Sequence, residues 1–251
     1  MLRCAPPRDE LLRVAKRQRL NTWRLYAHTY YRAVAGNGKT QWLARRVDET
    51  ITAAEGVTAA DIVVFTYTNA AADTLRDRLL TEFGHADVAV TTLHSFANQF
   101  NIAAAKEADA FSCVCTMVRE VLALAAQDES RFDAALAELP RRRFIYVDEA
   151  QDANADQFDL VRLLRRKWDA TVTLVGDTAQ SIFSFQGAAP KLFGSFFGED
   201  DDYTTITGTE NYRSSPAIVA AVNANLRRSM PEEPQLEARL EDLHPRRPDH
   251  P

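Results

Sequence analysis

AVAGNGKT, Ala33–Thr40, sets two glycines, a lysine and a threonine in a turn between an apolar run and a segment with helical spacing. A loop that grips phosphate needs backbone N–H groups converging on the anion and a helix N-terminus behind them. It also needs a lysine for the phosphate charge and a hydroxyl for a metal ion. Gly36, Asn37, Gly38, Lys39 and Thr40 are the residue types that supply these. The usual pattern, G-x-x-x-x-G-K-[ST], asks for its first glycine where this chain has Ala33. A Gly-x-Gly-Lys-Thr run also occurs in surface turns, so the loop alone weighs nucleotide binding and a plain turn about equally.

Outward from the loop, short runs rich in valine, isoleucine and threonine alternate with longer segments of helical period. The runs are Asp61–Thr68, Asp87–His94, Arg143–Ala150, Ala170–Asp177 and Tyr203–Thr209, with a further short one at about Tyr30–Val34 leading into the loop. The helical segments include KTQWLARRVDETITAA, with Trp42, Leu43, Val47 and Ile51 on one stripe, NAAADTLRDRLLTEF and NADQFDLVRLLRRKW. This alternation predicts α/β architecture with a parallel sheet flanked by helices. In such sheets ligands bind at the C-terminal ends of the strands, so the polar strand endings GNGKT, TYTNA, TLHSF, VDEAQD and GDTAQS are the candidates for chemistry.

FIYVDEAQD adds two adjacent carboxylates at the end of a buried strand. One of Asp148 and Glu149 suits holding magnesium through water and the other polarising an attacking water, while the bland alternative is a turn in which Asp152 caps the next helix. In VGDTAQSIFSFQGA, Gln180 offers a neutral amide for a γ-phosphate or its attacking water, or simply a satisfied loop. Phe183 and Phe185 offer faces for bases, although half-buried core phenylalanines are commoner.

The whole chain limits the partners. Thirty Lys and Arg against 35 Asp and Glu leave a formal charge of -5, so any nucleic-acid contact is local rather than a polycationic coat. Three cysteines without histidine support fit neither a disulfide framework nor a zinc site, which points to a reducing setting. MLRCAPPRDELL lacks the apolar core of a secretory signal, and no apolar run approaches the ~18 residues of a membrane span. The expectation is a cytoplasmic protein with no membrane partner.

Taken in order, these segments resemble the superfamily 1 DNA helicases of the UvrD/Rep type, whose first loop is similar to A-G-A-G-S-G-K-T and itself begins with alanine. FTYTNAAADTLRDRL resembles that family's motif Ia, TTLHSFANQF motif Ib, FIYVDEAQD motif II, LVGDTAQSIFSFQGA motif III and TENYRSSPAIVAAVNANL motif IV. The resemblance covers about 33–226 and implies a RecA-like P-loop NTPase domain with a small helical insertion. It also implies ATP and Mg2+ as cofactors, single-stranded DNA as partner, and ATP hydrolysis driving 3'-5' translocation or unwinding.

Residue by residue, the resemblance assigns Ala35, Gly36, Asn37, Gly38, Lys39, Thr40, Gln41 and Tyr212 to the nucleotide, with Tyr212 stacking on adenine. Thr40 and Asp148 fall to the metal, Glu149 to the general base, Gln180 to the γ-phosphate sensor and Arg213 to an arginine finger. Tyr67, Thr68, Asn69, His94, Ser95, Phe96 and Phe185 fall to single-stranded DNA. The chain departs from the family at Arg24, where an adenine-reading glutamine would stand, and at Gln41 and Gln186, where arginines are usual.

Family members carry a second motor domain with motifs V and VI, which are not evident here. The expected organisation is a helical segment at 1–28, the ATP-binding domain at 29–202 with its insertion at about 101–140, the start of a second domain at 203–230, and a charged tail at 231–251. A working motor then implies a second chain supplying motifs V and VI, or self-association. The alternatives are a truncated module that binds nucleotide, DNA or a partner without turnover, and a small phosphate-loop kinase or NTPase, which would leave TYTNAAA, TLHSF and NYRSS without a role.

Overall fold

The β-branched runs become strands, and those in the interior of the sheet are buried on both faces between layers of helix. In the computed structural model, residues 23–100, 110–181, 190–198 and 201–229 are described. In chain order the elements are α1 (Trp23–Tyr26), β1 (His28–Ala33), α2 (Lys39–Ala53), β2 (Ile62–Thr66), α3 (Asn69–Phe83), β3 (Ala89–Thr92) and α4 (Leu93–Ala97). They continue with α5 (Ala110–Gln127), α6 (Glu129–Ala137), β4 (Phe144–Val147), α7 (Ala155–Trp168), β5 (Thr171–Gly176), α8 (Pro190–Gly194), β6 (Tyr203–Gly208) and α9 (Pro216–Ser229).

The six strands form one parallel sheet in the order β3-β2-β4-β5-β1-β6. β2, β4 and β5 are buried at every residue, as an interior strand covered on both faces requires. On one face, Leu43 and Val47 of α2 and Leu75 and Leu79 of α3 pack over Val64, Tyr146 and Val175. On the other, Phe158, Leu164 and Trp168 of α7 pack over Phe65, Ile145 and Leu174. Burying side chains of this size contributes roughly 1.5–3 kcal/mol each.

Two local signals define the helices around the site. Thr68 caps α3 by accepting from the Ala71 N–H at 3.1 Å, and Gly84 ends that helix at φ 75. Asn154 and Gln157 form a reciprocal capping box on α7, each side chain accepting from the other's backbone N–H at 2.9 Å. The cap of α7 is therefore Asn154 and not Asp152, which leaves Asp152 to the strand end.

Val118, Val121, Phe132 and Leu136 of α5 and α6, in the 101–140 region, belong to the core on the α7 side. The segment expected to open a second domain lies in the first sheet. β6 pairs with β1 along its whole length, from His28 with Tyr203 to Ala33 with Gly208, and so closes the edge of the first sheet. Its alternating exposed and half-buried pattern is that of an edge strand.

The basic run Arg141–Arg143 is spent within the fold. Its side chains donate to the carbonyls of Trp168, Ala60 and Gly56, which ties loops together at the N-terminal edge of the sheet.

Candidate functional site

β1 is flanked by β5 and β6, and its continuation, Val34–Gly38, enters α2 at the C-terminal edge of the sheet, where open α/β folds place their ligand crevice. Gly36 and Gly38 adopt φ of 74 and 87, a region that side chains disfavour, so the loop needs glycine at both positions. Gly38 stands at the cap position of α2 with no side-chain cap, leaving the first N–H groups of that helix facing the loop. Lys39 is buried and Thr40 half-buried in the first turn.

The loop's shape is held from outside by the segment that follows β6. The Asn211 side chain donates to the Ala35 carbonyl at 2.8 Å, and the Tyr212 N–H donates to the Gly36 carbonyl at 2.9 Å. The Asn37 side chain donates to the Glu210 carbonyl at 2.8 Å and accepts from the Tyr31 hydroxyl. Tyr31 in turn stacks on Trp42 with ring centroids 3.9 Å apart, and burial pushes its hydroxyl up to about 12. Asn211 also accepts the N–H groups of Arg213 and Ser214 at 2.9 and 2.8 Å. Arg213 is thus anchored to the loop through its backbone while its side chain is exposed.

Opposite the loop, β4 ends in the two carboxylates. Asp148 is 5% exposed, and Glu149 adopts φ 47, left-handed backbone that costs a non-glycine residue on the order of 1 kcal/mol. That conformation lets the Glu149 N–H donate to Asp148 Oδ1 at 3.0 Å and brings its own carboxylate to 3.8 Å from Lys39 Nζ. Burial, then the neighbouring Glu149 charge, push the Asp148 carboxyl up to about 7. The same two causes raise Asp152 to about 6, and its Oδ1 is a buried oxygen without a hydrogen bond. The lysine, both carboxylates and the loop therefore meet on one sheet edge, as the strand endings suggested.

A buried carboxylate at the end of β4 and a threonine hydroxyl in the first turn of α2 are residue types that fit a hard divalent cation with oxygen ligands. Among the described residues no three His, Cys, Asp or Glu side chains are grouped to hold a metal by themselves. Magnesium takes few protein ligands and shares the rest with phosphate and water.

Gln180 stands in the turn after β5 and donates to Asp177 Oδ2 at 2.5 Å. Gln41 donates to Glu82 on α3 at 2.6 Å. The Tyr212 ring is 44% exposed beside the loop. A cavity of about 140 Å³ separates Val34, Ala35 and Gln180 from Val219, Val222 and Asn223 of α9.

The residues assigned to DNA divide. Thr68 and Asn69 are exposed at the start of α3, Tyr67 is half-buried at the end of β2, and Ser95 is exposed on α4. His94 is half-buried, and burial lowers its pKa, which favours the neutral ring. Phe96 is a correction: it is 5% exposed and packs edge-on against Phe65 and Trp168, so no ring face is open to a base. Phe185, with Phe183 and Gln186, lies outside the described residues.

Two polar residues of the site escaped the sequence reading, Gln151 and Asn211. Both lie inside quoted motifs, but the motifs mark only chemistry that faces a ligand, and these two amides face the protein.

Residues 27–186 match the family model described as an AAA domain, over more than half of the chain. The chain is 34% identical over 167 residues to an ATP-dependent helicase/nuclease subunit of Exiguobacterium sibiricum, covering 64% of this chain and 14% of that protein. It is 42% identical over 82 residues to the ATP-dependent DNA helicase Rep of Buchnera aphidicola, covering 33% of this chain and 12% of that protein. Unliganded Pif1 from Bacteroides sp aligns with a TM-score of 0.41 at 15% identity, covering 87% of this chain and 45% of that one. The chain thus spans well under a quarter of the length of these two curated relatives. Among the described residues no helix is long and apolar enough to cross a membrane.

Proposed function

The chain belongs to the AAA domain family and carries a helicase-type ATP-binding domain of the UvrD/Rep kind, and we propose that it binds Mg-ATP and hydrolyses it in response to single-stranded DNA. The observation that carries this reading is the approach of Lys39 to Glu149 at 3.8 Å, across a loop whose N–H groups face the same space as the buried Asp148.

In this reading the backbone of Gly36–Lys39 cradles the β-phosphate, and Lys39 leaves Glu149 to bind the β/γ-phosphate oxygens. The Thr40 hydroxyl and the Asp148 carboxylate would hold magnesium, which would supply positive charge to the phosphate oxygens. Glu149, freed from Lys39, accepts a proton from the attacking water. Gln180 contacts the γ-phosphate or that water, Arg213 adds positive charge from the opposite side, and the exposed Tyr212 ring stacks on the base.

Single-stranded DNA would lie over Tyr67, Thr68, Asn69, His94 and Ser95, at the ends of β2 and β3, with Phe185 contributing from beyond the described residues. Translocation with 3'-5' polarity needs a cleft that closes and opens with the nucleotide, hence a second motor domain from a further segment, a partner chain or a second copy.

The test is the ATPase rate of the 251-residue chain with and without single-stranded DNA, using Lys39→Ala as the blank. DNA-stimulated turnover supports a working motor. Binding of Mg-ATP without turnover marks a nucleotide-binding module that awaits its second domain, and no binding overturns the reading.

A further inference from the structure

The amide of Gln151 is 1% exposed and every one of its polar atoms is engaged. Its Nε2 donates to Glu149 Oε2 at 2.9 Å and to Asp152 Oδ2 at 3.3 Å, while its Oε1 accepts the Asp177 N–H at 3.0 Å. Only one orientation of the amide satisfies these partners, because a flip would set its oxygen against two carboxylates and its NH2 against an N–H. Asp177, 2% exposed, then accepts from Gln180 Nε2 at 2.5 Å through Oδ2 and from the Ala179 N–H at 3.0 Å through Oδ1. An unbroken series of hydrogen bonds therefore runs from Glu149 through Gln151 and Asp177 to Gln180.

These groups have little room to give. A Cβ at Gly176 would lie 2.5 Å from Gln151 Oε1, so the backbone of β5 is pressed against the amide. The Ser181 hydroxyl donates to the Gln151 carbonyl at 3.3 Å, which fixes the backbone of the same residue to the far end of the Gln180 turn. A buried glutamine that merely fills space needs neither a carboxylate of the site at one end nor the sensor turn at the other.

We propose that Gln151 is a positioning residue that couples the aim of the Glu149 carboxylate to occupancy of the γ-phosphate position, through Asp177 and Gln180. Without a γ-phosphate, the Gln180 amide is spent on Asp177. When a γ-phosphate takes that amide, Asp177 loses a hydrogen-bond donor and its turn resettles. Gln151, clamped between Gly176 and the two carboxylates, passes the displacement to Glu149. The inference rests on the nucleotide-site reading above.

The test uses the 251-residue chain with 15N-labelled glutamine side chains. The Gln151 amide pair is assigned by its loss in Gln151→Met. Mg-ADP is added first, then beryllium fluoride as the γ-phosphate mimic, with binding of each followed by calorimetry. The expected result is a shift of the Gln151 pair on adding beryllium fluoride, absent with Mg-ADP alone and abolished in Gln180→Ala. A shift that persists unchanged in Gln180→Ala, or no shift in a chain that binds beryllium fluoride, overturns the coupling while leaving the nucleotide site standing. Failure of the wild-type chain to bind Mg-ADP overturns the nucleotide-site reading, and the coupling with it. Where turnover is measurable, Gln151→Met lowers kcat on the order of tenfold with KM for ATP little changed, as loss of a supporting partner does. A change confined to KM counts against the proposal.

Discussion

The side-chain amide of Asn211 donates to the carbonyl of Ala35 at 2.8 Å, joining the segment after the last strand to the loop after the first. Its oxygen simultaneously accepts the Arg213 and Ser214 N–H groups, so the loop and the arginine assigned to the γ-phosphate are placed by one residue. The fit is close: a Cβ at Gly36 would lie 2.7 Å from Asn211 Oδ1, and Gly36 also has φ +74. Gly36→Ala is expected to destabilise the chain by about 1–3 kcal/mol through overpacking and backbone strain. In an Asn211→Ala background the overpacking share disappears and the strain share remains. Chemical denaturation of the two single variants and the double one measures this, and strict additivity would show that the two positions do not press on each other.

Lys39 sits at the first turn of α2, buried, with the Glu149 carboxylate 3.8 Å away as its ion-pair partner. Lys39→Ala is expected to remove Mg-ATP binding and to leave the fold intact, since the helix start needs no lysine. Calorimetric titration of the variant checks it, and an unchanged affinity would remove the loop from the nucleotide site.

Glu149→Gln keeps the size of the side chain and loses its basicity. Binding of Mg-ATP is expected to survive, while any hydrolysis falls on the order of a hundredfold or more, as for removal of a general base. Single-turnover phosphate release distinguishes the steps. Wild-type rates in this variant would take Glu149 out of the chemistry.

Asp148 makes the stability of the nucleotide-free chain depend on pH. Its carboxyl titrates at about 7 in the folded chain against 3.8 for the free side chain, because burial and Glu149 oppose its ionisation. Below the lower value the group is protonated whether the chain is folded or not, and its contribution to stability is fully present. As pH rises through the higher value that contribution is lost. Asp148→Asn never ionises, so at pH 8 it should be more stable than the wild type by about 2–4 kcal/mol, a gap that narrows steadily toward pH 5. The variant should also lose magnesium-dependent nucleotide binding. Denaturation midpoints at pH 8, 7, 6 and 5 check the sign, and a gap that widens on acidification would contradict the assigned environment of Asp148.

The alternation of β-branched runs with helical stripes was enough to place all six strands and the helices after β1, β2 and β4 within a few residues, because period and composition are local properties. The identities of Lys39, Asp148, Glu149 and Gln180, and their convergence at one sheet edge, were legible for the same reason: each ends a strand, and parallel strands end together. Three features were not legible. Phe96 falls to single-stranded DNA by the resemblance, yet it lies on the inward face of α4 and fills the core beside Phe65 and Trp168. Tyr203–Gly208 reads as the opening of a new domain, yet it pairs with β1. The hydrogen bonds of Gln151 to Asp177 and of Asn211 to Ala35 span 26 and 176 residues of sequence.

Local pattern therefore settles the type of each element and the chemical groups delivered to the strand ends, since backbone period and residue identity act over a few neighbours. The strand order, the left-handed turn at Glu149 and the two buried amides that hold the site together come instead from packing in three dimensions. Those depend on which distant backbone groups the folded sheet brings within hydrogen-bonding reach, and no local pattern carries that distance.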